Sequence, residues 1–195
     1  MAAQETAQKR TVVATEKKAG LGVQDLILIA VLLAAGAVLK LTVASFFAAF
    51  GMKPNFIIAM YCLAIILTKP KVGQAAIIGL LAGLICQLPM LNATPLVNIA
   101  SELLGAFVCG MLVNIKMNIG KIDLGPTVNT FVSTVVSGGT FALIAIFINV
   151  ISKGGTQETV MAAIASYAVI VLGTATINAV LNTILVPPMR KVLKK

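Results

Sequence analysis

The sequence predicts an all-α integral membrane protein with six transmembrane helices and both termini in the cytoplasm. Of its 195 residues, 59% are hydrophobic and only 11% are charged, and the mean hydropathy is +1.03. A soluble domain carries about 25% charged residues, so this chain lacks the polar surface that a water-soluble globule needs. Apolar runs of about 20 residues, the length that crosses a bilayer as a helix, recur along it.

Six apolar runs account for the predicted helices, and they are 26–48, 54–68, 72–89, 96–115, 126–151 and 159–186. The second run is short for a span, because as a helix it rises only about 22 Å. It therefore either starts earlier or is broken near Pro54. The last run is long, and we expect it to tilt or to carry an interfacial end.

The polar ends of the chain define three parts. Residues 1–24 are polar and predict a cytosolic N-terminal tail, with a helix lying on the membrane surface as the alternative. Residues 25–189 form the six-helix transmembrane domain, and residues 190–195 form a basic cytosolic C-terminus.

The basic residues predict the orientation. Twelve of the 15 Lys and Arg residues lie in the two tails and beside the second and fourth connections, whereas only Lys40, Lys53 and Lys153 lie on the other side. Cytoplasmic segments carry the excess of Lys and Arg, so Lys53 is expected to face outward. Basic clusters between apolar runs also indicate a lipid bilayer, and not a nucleic acid, as the partner of a chain with net charge +9.

The residue inventory argues against several chemistries. The chain has no histidine and no CxxC pair, which leaves a metal or redox site unsupported. The sequence contains no GxxxxGK[ST], GxSxG or HExxH motif, so neither a P-loop nor a familiar hydrolase site is present. We therefore predict a protein that is not an enzyme and that uses no cofactor, with Cys62, Cys86 and Cys109 serving as packing residues.

Two ionisable residues inside the apolar runs are candidate functional groups. Lys40 and Glu102 each lie about 10 Å from the outer end of their predicted helices, and such residues are costly in a bilayer. They form a structural ion pair, or Lys40 reaches outward to the interface, or the two charges bind the two ends of a zwitterion. The outward connection between the third and fourth runs adds Gln87 and Asn98 nearby.

The stretch FFAAFGMKPNFII, residues 46–58, places a lysine between two apolar runs. Lys53 is either part of a turn at the membrane surface or a cation at the mouth of a binding pocket. Pro54 is well tolerated at the start of a helix and would hold Lys53 in place. The aromatic rings of Phe46, Phe47 and Phe50 form either a wall for a flat ligand or a contact with interfacial lipid.

Small and polar stripes predict helix packing. Asn129, Asn178 and Asn182, with hydroxyl residues on the same two helices, favour a structural clamp over a ligand role. Small-xxx-small spacings, which allow close helix contact, occur at Ala30–Ala34 and at Gly79–Gly83.

The stretch LLAAGAVLKLTVASFFAAFGMKPNFIIAMYCLAIIL resembles the opening of the bacterial tryptophan-transporter family called TrpP. The match extends over residues 28–112, and Gly51-Met52-Lys53-Pro54 is its most specific part. Six short spans, a basic cytosolic side and the Ala-xxx-Ala spacing on the first helix also resemble the substrate-binding (S) components of energy-coupling factor (ECF) transporters.

The resemblance implies a membrane protein that captures a small solute from outside and delivers it through a coupling (T) subunit and two ABC ATPases. The solute is tryptophan or a related amino-acid-like or vitamin-like compound, and Ala30 and Ala34 match the family's docking motif for the coupling subunit. The alternatives are a self-standing, ion-coupled secondary transporter of an amino acid and a non-transporting membrane assembly protein.

The chain departs from the family pattern where the resemblance places the solute. Asn55 replaces an acid, Lys40 replaces a histidine, and Ser101-Glu102 replaces an Asp-Lys pair. The substrate-binding residues expected from these comparisons are Lys40, Lys53, Asn55, Gln87, Asn98 and Glu102. Lys53, helped by Lys40, would hold an anionic group, Glu102 would hold an ammonium group, and Asn98 and Gln87 would orient the solute.

Overall fold

The computed structural model describes residues 20–48, 53–88, 91, 94, 96–120 and 122–193. The helices are α1 (Val23–Leu41), α2 (Val43–Ala48), α3 (Phe56–Thr68), α4 (Val72–Ile85), α5 (Val97–Leu112), α6 (Gly125–Asn149) and α7 (Gln157–Val192). A short antiparallel hairpin pairs β1 (Asn118–Ile119) with β2 (Ile122–Asp123). The predicted tail up to residue 19, Phe50 to Met52, and the last two lysines lie outside the described residues.

The all-helical class is confirmed, and each predicted apolar run contains a helix. The segments Val23–Ala48, Gly125–Lys153 and Gln157–Val192 are long and apolar enough to cross a membrane, whereas α3, α4 and α5 are shorter. The number of spans and the side on which the termini lie stay predictions. The hairpin between α5 and α6 is an addition that helical periodicity did not predict.

Helix α3 forms the centre of the bundle. Every residue from Phe56 to Leu67 is buried, as expected of a helix that is apolar on all sides. Glycine allows a neighbour to approach it closely, since a Cβ atom on Gly36 of α1 would lie 3.0 Å from the Cα atom of Ile57. The helix starts at Phe56, two residues after Pro54, so the second apolar run is broken near Pro54 and does not start earlier.

The Gly79–Gly83 spacing packs α4 against α5, as its sequence predicts. A Cβ atom on Gly79 would lie 2.5 Å from the Cβ atom of Ala106, and one on Gly83 would lie 2.8 Å from the Cα atom of Ile99. Real Cβ atoms do not approach so closely, so only glycine permits this helix spacing.

The predicted asparagine clamp is confirmed, and its first member, Asn129, donates to the backbone oxygen of Cys109 on α5 at 3.1 Å. Asn178 Nδ2 donates to the backbone oxygen of Asn55 at 3.2 Å, and Asn182 Nδ2 donates to that of Ala59 at 3.0 Å. Asn182 also donates to Thr130 Oγ1 at 2.8 Å. These bonds tie α6 and α7 to the first turns of α3. The N-terminal end of α3 therefore lies beside the second half of α7.

The C-terminal end of α7 runs further than predicted, through Pro187 and Pro188 to Val192. Proline removes helical N–H donors, which is why the sequence indicated an end at residue 186. Two contacts hold this last part in place: Val186 is buried, and Arg190 bonds to Asp123 of the hairpin at 2.8 Å.

Candidate functional site

A cavity of about 170 Å³ lies at the N-terminal end of α3, between α1, α5, α6 and α7. Its polar lining includes Lys40, Lys53, Asn55, Asn98, Ser101 and Glu102, and its apolar lining includes Ile58, Leu91, Phe141, Ile170 and Val171. One cavity therefore combines charged groups with an apolar wall.

The structure brings together five of the six predicted binding residues. Lys40, Lys53, Asn55, Asn98 and Glu102 all line the cavity, although they come from three separate segments of the chain. Gln87 is not among the lining residues, and its Nε2 atom donates to the backbone oxygen of Gly83 at 2.7 Å. Gln87 lies in the turn that follows α4, which ends at Ile85, earlier than the predicted end at residue 89.

Glu102 is fully buried, and neutral donors bind both of its oxygens. Oε1 accepts from Asn55 Nδ2 at 2.5 Å, and Oε2 accepts from Ser137 Oγ at 2.9 Å. Gly105, one turn further along α5, leaves room for this arrangement, because a Cβ atom there would meet the Tyr61 hydroxyl and the Ser137 side chain. Glu102 thus links α5 to α3 and α6.

Lys40 is only 4% exposed, so it does not reach outward to the interface. Its Nζ atom donates to Cys86 Sγ at 3.6 Å, and a thiol is a weak acceptor. Within the part of the chain that the structure describes, neither Lys40 nor Glu102 has an opposite charge within 4.0 Å. The direct Lys40–Glu102 ion pair that the sequence left open therefore does not form.

The N-terminus of α3 points to the cavity without a side-chain cap. Asn55 occupies the N-cap position but makes no capping hydrogen bond, because its amide nitrogen bonds Glu102 instead. Its Oδ1 atom is buried without a partner. Exposed Lys53 lies at the same end. Helix N-termini carry partial positive charge, so this part of the cavity favours an anion.

The apolar wall comes from α6 and α7. Phe141 and Tyr167 pack edge to face, with ring centroids 6.3 Å apart and an interplanar angle of 62°. A dry cavity of about 150 Å³ is known to hold benzene, so the whole cavity, at about 170 Å³, has room for an aromatic ring. The sequence did not predict either residue. The one signal in the sequence is that Tyr167 lies on the same face of α7 as Thr174 and Asn178.

Phe46 and Phe47, for which the sequence left open an aromatic wall or a lipid contact, do not line the cavity. Phe46 and Phe47 pack edge to face with ring centroids 5.9 Å apart, and Phe46 is 67% exposed. These two rings fit the lipid-contact alternative, while Phe50 lies outside the described residues.

A second, wider cavity of about 910 Å³ lies at the opposite end of α3. Its charged lining residues are Asp25, Lys69, Lys116, Asp123 and Arg190. Here the Arg190–Asp123 ion pair is direct, and both side chains are partly exposed. This end contrasts with the smaller cavity, whose buried charges have no opposite charge within 4.0 Å among the described residues.

Comparison with known proteins gives one match. The family model of the tryptophan transporter TrpP matches residues 22–194, a range that includes all seven helices and both cavities. No curated protein and no solved structure matches the chain.

Proposed function

Because the chain belongs to the TrpP family of tryptophan transporters and is thus a multi-pass membrane protein with a transport role, we propose that it binds the solute that is transported. It is the substrate-binding component of an ECF-type importer, and it captures tryptophan from outside the cell in the cavity at the N-terminal end of α3.

One observation carries this proposal: two opposite charges are buried in a single cavity without pairing to each other. A buried charge without a counter-charge is costly. A zwitterionic amino acid supplies both counter-charges at once, a carboxylate for Lys40 and an ammonium group for Glu102. Lys53 and the N-terminus of α3 add to the carboxylate site, and Asn55 and Asn98 orient the head group.

The apolar wall accounts for the rest of the solute. The Phe141–Tyr167 pair, with Ile170 and Val171 beside it, offers aromatic and aliphatic surface to a planar ring. Gln87 has no place in this proposed site, because it lies outside the cavity lining.

The outer face of α1 is the proposed docking surface for the coupling (T) subunit, which would bring two ABC ATPases. Ala30 and Ala34 are exposed together with Ile27, Val31 and Val38, so the helix presents small residues on an open apolar face. Such faces allow close helix packing in membranes. The excess of Lys and Arg at the predicted cytoplasmic side would orient the cavity outward, as import requires.

The test of this function is direct ligand binding. The protein contains no tryptophan, so the fluorescence of a bound tryptophan has no indole background, and mass spectrometry of the purified protein identifies any retained solute. We expect Lys53→Ala to weaken tryptophan binding about tenfold. The matched control is Lys153→Ala, since Lys153 is exposed and outside the cavity. If Lys53→Ala binds tryptophan as tightly as wild type does, the proposed role of Lys53 in binding the carboxylate is wrong.

Glu102 favours one rival, because a buried carboxylate in a membrane cavity is also what a proton-coupled secondary transporter uses. The two functions differ in their need for partners. In cells that lack the coupling subunit and the ATPases, the importer predicts no tryptophan uptake. Uptake that persists in such cells, and that a proton ionophore abolishes, would overturn the importer in favour of the rival.

A further inference from the structure

Thr174 of α7 is unusual among the hydroxyl side chains of the bundle. Serine and threonine in helices commonly bond back to the carbonyl four residues earlier, as Thr134, Thr140, Thr176 and Thr183 do. Among the helical serines and threonines that the structure describes, Thr174 is the one whose hydroxyl makes no hydrogen bond to another described residue.

This unpartnered hydroxyl borders the cavity. Thr174 is 5% exposed and lines the cavity, yet its oxygen is not among the fully enclosed unpaired atoms. Burying a hydroxyl without a partner is unfavourable. A helical threonine can avoid that cost by turning to its own backbone, and Thr174 instead keeps its hydroxyl available beside the empty space.

Thr174 lies on α7 between the aromatic wall and Asn178, which bonds the backbone of Asn55. It lies on the α7 face that also carries Tyr167, Ile170 and Val171, two turns from Tyr167 and one turn before Asn178. The hydroxyls on the facing α6 wall already make hydrogen bonds, since Ser137 donates to Glu102, and Thr134 donates to its own helix and accepts from Asn178. Thr174 therefore offers the cavity a buried hydroxyl that makes no hydrogen bond to another described residue.

We propose that Thr174 is a specificity-determining residue whose hydroxyl oxygen accepts a hydrogen bond from the indole N–H of bound tryptophan. This inference rests on the proposed function. The indole nitrogen is the single polar atom of the tryptophan ring, and phenylalanine has none. A site built to bond a ligand N–H rejects the analogue that lacks it, because the buried group then stays unpaired.

The experiment compares tryptophan with 1-methyltryptophan and phenylalanine, which share its head group but present no ring N–H. We expect Thr174→Val, which replaces the hydroxyl by a methyl of similar size, to weaken tryptophan binding about tenfold. The same change leaves the affinities for 1-methyltryptophan and phenylalanine unchanged or slightly higher. Thr174→Ser restores tryptophan binding, since it restores the hydroxyl.

Thr176→Val is the matched control, because Thr176 is exposed and bonds to its own helix at Leu172. A thermal melt of the unliganded protein separates recognition from folding: Thr174→Val removes a buried unpaired group, so its melting temperature does not fall. Equal losses for all three ligands would assign Thr174 to the head group and overturn the proposal, as would an unchanged tryptophan affinity. Failure of the wild type to bind tryptophan would instead overturn the proposed function.

Discussion

The two ends of the central helix α3 handle charge in opposite ways. At the C-terminal end, Arg190 and Asp123 form a direct ion pair at 2.8 Å, and their side chains are 33% and 44% exposed. At the N-terminal end, Lys40 and Glu102 are 4% and 0% exposed, and neither has an opposite charge within 4.0 Å in the described part of the chain.

The difference indicates what each end is for. Exposed ion pairs contribute little to stability, typically about 0–1 kcal/mol, so the Arg190–Asp123 pair ties the hairpin to α7 without strong consequences. Buried charges are costly unless something neutralises them. A fold that keeps two of them apart in one cavity is explained by a ligand that carries both counter-charges.

Gly105 offers the largest expected effect on stability at the N-terminal end. In Gly105→Ala, the added methyl would lie 2.7 Å from Ser137 Cβ and would also meet the Tyr61 hydroxyl. We expect a loss of about 1–3 kcal/mol of stability from overpacking, together with weaker tryptophan binding, because Ser137 would be displaced from Glu102. The control is Gly139→Ala, since nothing lies within 4 Å of a Cβ atom there. Equal melting temperatures for the two variants would contradict the packing described.

The asparagine clamp separates the site from the scaffold. Asn178 and Asn182 make the same kind of bond to α3, but Asn178 holds Asn55, which lines the cavity, whereas Asn182 holds Ala59. Each alanine substitution is expected to cost about 1–2 kcal/mol of stability. Only Asn178→Ala should also weaken tryptophan binding, by about threefold to tenfold, in a calorimetric titration. Parallel losses of affinity would show that both act through overall stability.

The ion pair at the C-terminal end should have the smallest effect. Hydrogen bonds from Arg190 and from the Gly125 N–H lower the pKa of Asp123 below its usual value, which is about 3.9 in model peptides. Because the pKa in the folded state is lowered, this stabilisation is present above about pH 4 and is lost as the pH falls through the lowered pKa.

Arg190→Ala should therefore reduce stability by no more than about 1 kcal/mol at neutral pH. It should also make the melting temperature less sensitive to acid between about pH 4 and the lowered pKa. Tryptophan affinity should stay unchanged, because Arg190 lies outside the small cavity. A tenfold loss of affinity in this variant would remove the contrast between the two ends.

The sequence was a good guide to the helices and to the charged part of the site. Long apolar runs predict helices because the bilayer demands them, and buried Lys40 and Glu102 were identified because ionisable residues are rare inside such runs. The aromatic part was missed, and the hydroxyl residues of α6 and α7 were assigned to helix packing alone. Phe141, Tyr167 and Thr174 differ from many similar residues on α6 and α7 only in their position along the helix and in the direction that they face. Tertiary packing determines which of those positions border a cavity.

The break at Pro54 shows the same limit. Its position was visible in the sequence, but the depth at which α3 begins depends on the bonds from Asn178 and Asn182 to its first turns. Gln87 was placed near the charged pair by its proximity in sequence, yet an early end of α4 and a bond to Gly83 hold it elsewhere.

The most direct test of the account is a binding cycle between Glu102 and the ammonium group of the ligand. Tryptophan and indole-3-propionate, which lacks the ammonium group, are titrated against wild type and Glu102→Gln. Losing one partner of a buried charge pair typically costs 2–5 kcal/mol. We therefore predict that Glu102→Gln weakens tryptophan binding at least thirtyfold while leaving indole-3-propionate unaffected or bound more tightly. Equal weakening of both ligands would contradict the claim that the unpaired buried charge serves the amino-acid head group.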